Sequence, residues 1–158
     1  MITSSISEFP ERSFLPIVSH HRHSEWFESS PNEFMSIRVH STQVQGRYSV
    51  VESYAMPGSS TPLHKHAHDE IFQVLTGSPT FMLGPEMIET QRGTVIFVPA
   101  GTPHCWRNNT EEKVQMIATC FPGGIEDLLI QIVGRAPEEI VALASKYGTT
   151  ILEPPIAS

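Results

Sequence analysis

Two short stretches carry residue types at a spacing able to bind a metal ion. In the first, Gly58-Ser-Ser-Thr-Pro-Leu-His64-Lys-His66-Ala-His-Asp-Glu70, two histidines are separated by one residue and a glutamate follows four residues later. Alternate side chains of a strand share a face, so His64 and His66 project together while Lys65 points the other way. A turn over residues 67–69 then opens the next strand with Glu70 beside them, on one inward face with Phe72 and Val74. In the second stretch, Gly93-Thr-Val-Ile-Phe-Val-Pro99-Ala-Gly101-Thr-Pro-His104-Cys-Trp106-Arg-Asn108, a strand meets a tight turn and a second strand opens with His104. Pro99 fixes its own φ and Gly101 permits a positive one, which makes a fourth ligand available.

The resulting chemistry is that of three imidazoles and one carboxylate without thiolate. Such a set suits one divalent transition metal ion, whether Fe, Mn, Ni, Cu, Co or Zn. Four protein ligands leave an octahedral ion two open positions, as catalysis requires. His68 lies in the same cluster, and a pairing of His66 with His68 is chemically reasonable. The motif spacing described below selects His64, His66 and Glu70 instead, leaving His68 beside the site or in a solvated loop.

The elements that must position these residues are strands. From residue 34 onward, runs rich in Val, Ile, Phe, Tyr and Thr recur at 34–44, 48–55, 70–76, 80–83, 87–90, 94–98, 104–108 and 114–120, divided by Gly and Pro turn signals. After Pro122-Gly-Gly the pattern becomes helical, with Ile125, Leu128, Leu129 and Ile132 at helical spacing and a second helix expected from Pro137 to Tyr147. Residues 1–33 lack sustained periodicity and read as an arm. Its cluster His20, His21, Arg22 and His23 reads as a surface or subunit contact, because adjacent residues cannot all converge on one ion. The segment holding Pro154 and Pro155 is expected to be irregular.

Both site stretches match, in order, the two signature motifs of the cupin family. The first reads G(x)5HxH(x)3E(x)6G and the second G(x)5PxG(x)2H(x)3N, with residues 78–92 between them. The chain resembles a small single-domain cupin over roughly residues 34–121, and its tail is similar to that of quercetin-dioxygenase-like cupins. The resemblance implies an all-β double-stranded β-helix, or jelly-roll barrel, with the arm at 1–33 and two short helices in 122–158 packed on the barrel. Carried over position by position, the family's ligands fall on His64, His66, Glu70 and His104, and Glu70 would also serve as catalytic base. Phe72, Val74 and Trp106 would wall a substrate pocket.

The expected activity is that of a metal-dependent dioxygenase acting on a flavonol- or diketone-type compound. The alternatives are an isomerase or lyase acting on a sugar or keto acid, and a non-catalytic small-molecule-binding cupin. Composition narrows the partners. A formal charge of −7 over 158 residues, with no basic run, gives nucleic acid no reason to bind. Residues 1–10 carry no basic n-region or apolar h-region, and no stretch reaches the length of a membrane span, so the expectation is a cytoplasmic protein without membrane contact. Cys105 and Cys120 are too few for a disulfide framework and read as core thiols. A homodimer is expected, with the arm able to add a strand to its neighbour.

Overall fold

The structure is a computed structural model that describes residues 15–153. The arm's first fourteen residues and the Pro154-Pro155 segment lie outside the described residues.

Eleven strands form two antiparallel sheets among the described residues. The strands are β1 (Phe27–Ser30), β2 (Glu33–Val39), β3 (Ser49–Ala55), β4 (Leu63–His66), β5 (Asp69–Thr76), β6 (Thr80–Leu83), β7 (Glu86–Glu89), β8 (Val95–Val98), β9 (His104–Arg107), β10 (Val114–Phe121) and β11 (Thr149–Glu153). The six-stranded sheet runs β1-β2-β3-β10-β5-β8 and the five-stranded sheet β11-β4-β9-β6-β7. Neighbours distant in sequence, such as β3 beside β10 and β4 beside β9, are what a jelly roll produces.

The alternation foreseen on β5 is present: Glu70, Phe72 and Val74 are buried while Gln73 between them is exposed. Phe72 and Val74 meet Phe81, Val98, Trp106, Val114 and Met116 in one apolar core between the sheets. Each fully buried side chain of this size contributes roughly 1.5–3 kcal/mol. Asn108, the last residue of the second motif, is fully buried and structural: its amide donates to the carbonyls of Ala55 and Glu112.

Four features differ from the sequence reading. The arm region contributes β1, which pairs with β2 of its own chain, and Ser19 is bonded by Arg38 of the same sheet. The 34–44 run stops as a strand at Val39. There His40 accepts a hydrogen bond from the Thr42 amide and starts a 3₁₀ turn, Ser41–Val44. The second helix ends one residue early, at Lys146. Finally, β11 follows Gly148 and pairs with β4, placing Thr149 opposite His66 and Ile151 opposite His64.

Helices α1 (Ile125–Gln131) and α2 (Pro137–Lys146) lie between β10 and β11 in the chain and pack on the open side of the barrel. α1 is pinned by Glu126, fully buried, whose carboxylate accepts from the amides of Ser41 and Gly124 at 2.7 Å each. Glycine is required just before it. A Cβ on Gly123 would stand 2.4 Å from Ser41 Cβ and 2.7 Å from the Tyr48 carbonyl oxygen.

Candidate metal centre

His64 and His66 come from β4, Glu70 from the start of β5 and His104 from the start of β9, where it pairs directly with His64. The turn before His104 is tied to the first motif at two points. The Gly101 amide donates to the His66 carbonyl and the Ala100 amide to the Asp69 carboxylate, both at 2.8 Å. Gly101 adopts φ 81°, the left-handed backbone that the sequence anticipated there.

The ring nitrogens are oriented by their outer bonds. His64 Nδ1 lies 2.7 Å from the Pro62 carbonyl, His66 Nδ1 2.9 Å from that of His68, and His104 Nδ1 2.8 Å from that of Thr102. Carbonyls only accept, so each Nδ1 carries a proton, and in the neutral form of such a ring Nε2 is bare and free to ligate. Burial, followed by the charge of His104, lowers the pKa of His64 to about 4, so its ring is neutral at physiological pH.

Glu70 Oε2 stands 2.9 Å from His66 Nε2 and 3.3 Å from His104 Nε2. Burial alone would raise the Glu70 pKa, but its contacts with His104 and His66 outweigh burial and hold it well below the usual carboxylate range. An ionised carboxylate facing bare imidazole nitrogens needs a cation between them, either a proton or a metal. Two ligand atoms at right angles around an ion, each roughly 2.1 Å from it, stand about 3.0 Å apart. The Glu70 contacts match that edge.

The donors form two overlapping groups, His64 with His66 and His104, and His66 with His68 and Glu70. Glu70 is joined to the first group through His66 and His104. His68 is buried rather than solvated, its ring stacked on His66 at 3.7 Å and 8°, with Nε2 lacking a hydrogen-bond partner. Burial, followed by the charge of His66, lowers its pKa to about 4.

Beside this centre opens a cavity of about 710 Å³. Phe72 and Trp106 line it. Val74 does not: it lies one inward position further along β5, at a level filled by Phe81, Val114 and Met116. Leu128, Leu129 and Ile132 from the first helix and its loop, with Ile140 and Ala144 of α2, supply the opposite wall. Two lining residues escaped the sequence reading. Cys120 is buried, as foreseen, but its Sγ reaches Glu70 Oε1 at 3.7 Å, and burial followed by the Glu70 charge keeps it a protonated thiol. Glu33 is a buried carboxyl on β2. Their facing depends on which strands pair, although alternation along β10 from Met116 was a usable signal for Cys120.

Comparison with known proteins agrees with this construction. Residues 52–120 match the family model described as a cupin domain. The chain carries a cupin domain. Among curated relatives of this cupin, auxin-binding protein 4 of Zea mays is 32% identical over 71 residues, 39% of this chain and 35% of that protein. An uncharacterized protein of Methanocaldococcus jannaschii is 31% identical over 77 residues, 48% of this chain and 62% of that protein. The chain thus spans between about a third and three fifths of the length of these relatives.

Solved structures share the fold. KdgF from a Halomonas species has a TM-score of 0.65 at 19% identity, over 72% of this chain and 99% of that one. The polyketide cyclase RemF from Streptomyces resistomycificus has a TM-score of 0.61 at 19% identity, over 68% and 80%. A predicted oxalate decarboxylase from Thermotoga maritima has a TM-score of 0.61 at 20% identity, over 67% and 99%. Structural neighbours of the cupin therefore carry varied enzymatic functions, and the fold does not choose among them.

Proposed function

We propose that this cupin is a metal-dependent dioxygenase acting on a small, largely apolar enolic or phenolic compound of the flavonol or diketone type. His64, His66, His104 and Glu70 hold the metal ion. The observation that supports this most is the apolar cavity beside the histidine cluster. Among the described residues Arg135 is the only lysine or arginine lining it, so it offers little to a phosphorylated sugar. Lys65 is exposed and Arg107 does not line the cavity, which disfavours the sugar isomerase alternative.

When bound, the metal would polarise the substrate's oxygen and supply a site for dioxygen. The protein's own residues do the rest. Phe72 and Trp106 pack against the substrate's body and exclude water. Glu70, ionised at physiological pH, accepts the proton of the enolic or phenolic hydroxyl, and the Cys120 thiol steadies its other oxygen.

The test is oxygen uptake on a flavonol and diketone panel by protein loaded with each candidate metal in turn. Uptake that is lost in Glu70→Gln while the metal is retained supports the proposal. Metal-loaded protein that consumes no oxygen on any compound would overturn it. A second reading is a cupin that only sequesters such a ligand, favoured by the match to an auxin-binding protein. It predicts stoichiometric binding with the ligand recovered unchanged.

A further inference from the structure

The cavity has a second polar end. Glu33 opens β2, is 3% exposed and lines the same cavity as Glu70. Strand register separates the two. Glu70 stands opposite Cys120, and Cys120 opposite Ser49 at one end of β3, whereas Glu33 stands opposite Ala55 at the other end. Six residues of strand span about 20 Å.

Glu33 has no structural partner sufficient to explain a carboxyl at that position. The Ser30 hydroxyl donates to Oε2 at 2.8 Å, and Oε1 is buried with no hydrogen-bond partner. Burial outweighs the Ser30 bond and raises the Glu33 pKa to about 7. A purely structural position between Met35 and the β1–β2 turn would be served better by an apolar side chain, since an unsatisfied buried polar group costs roughly 1–3 kcal/mol. Glu33 lines the cavity, so a ligand that fills it lies against this side chain. A carboxyl there can both donate to and accept from a hydroxyl, in a wall that is otherwise mostly apolar.

We propose that Glu33 is the distal anchor of the substrate site, hydrogen-bonding a hydroxyl on the far end of an elongated, otherwise apolar substrate whose near end meets the histidine cluster. The inference rests on reading the cavity as the substrate site and narrows the substrate class to compounds with polar groups at both ends. Glu33 acts here in positioning and specificity, and takes no part in the chemical step.

The test is isothermal titration calorimetry of the metal-loaded protein with two straight-chain diketones of fourteen carbons, both with the diketone at one end and one of them with a hydroxyl at the other. They differ by that one hydroxyl, carried on a chain long enough to cross the cavity from the enol. The wild type should bind the hydroxylated diketone about tenfold more tightly, the worth of one well-made hydrogen bond. Glu33→Ala should bring the two affinities together, and Glu33→Gln, able to donate and accept, should keep most of the preference. Equal affinity for both diketones in the wild type, absence of binding by both included, would overturn the anchor. A preference that survives Glu33→Ala would do the same. His64→Ala separates this inference from the metal reading: it should weaken both diketones alike and leave their ratio intact.

Discussion

Glu33 and Glu70 are both buried carboxyls, and their surroundings drive them in opposite directions. Glu70 faces imidazole nitrogens and is held low, whereas Glu33 faces one serine hydroxyl and is raised from 4.5 to about 7. For Glu33 the linkage runs against stability at high pH. Between pH 4.5 and about 7 the folded state keeps a proton that the unfolded state has released, so stability falls as pH rises through that window. The loss is complete above the folded pKa. Glu33→Gln removes a penalty of about 2–3 kcal/mol at pH 8 and none below pH 4. Urea denaturation of both proteins across this range checks it, and a difference independent of pH would contradict the assignment.

At the scale of elements, two glycines hold the frame of the site for different reasons, and their substitutions separate. Gly101 needs its positive φ, but a Cβ there meets nothing within 4 Å. Gly101→Ala should cost about 1–2 kcal/mol with metal binding only weakened. Gly123→Ala drives a Cβ into Ser41 and the Tyr48 backbone, which cannot yield, and should cost at least about 3 kcal/mol. Chemical denaturation measures both, and equal costs would refute the distinction. The same elements explain what sequence could disclose. His64, His66, Glu70 and His104 were legible because each is placed by alternation and turn chemistry within a few residues of a recognisable spacing. Glu33 was not, since its facing follows from pairing between strands, and for Cys120 alternation from Met116 gave the face but not its pairing with Glu70. β1 and β11 were missed because strands of four and five residues carry too little pattern, and their pairing with β2 and β4 decides them. The facing of Val74 was read correctly, but the depth to which Phe81 and Met116 fill the barrel is a property of the packed core.

At the scale of the whole molecule, a jelly roll with one open side is closed by α1 and α2, and the space left between them is the cavity that gives the histidine cluster its apolar surroundings. Among the described residues no helix is long and apolar enough to cross a membrane. A ligand that fills the cavity adds to global stability: a flavonol at a hundred times its Kd should contribute about 2.7 kcal/mol, and a sugar phosphate at the same concentration nothing. A thermal shift with the phosphate and none with the flavonol would reverse the functional reading.

We propose that the three histidines and Glu70 together hold one metal ion. The most direct test is elemental analysis of the purified protein beside His64→Ala and His104→Ala, with circular dichroism to confirm that the fold is kept. The wild type should hold about one equivalent and, because removing even an outer partner of a ligand costs roughly 10–100-fold in affinity, either variant very little. A variant that retains a full equivalent, or a wild type that takes up none of the candidate metals, would contradict it.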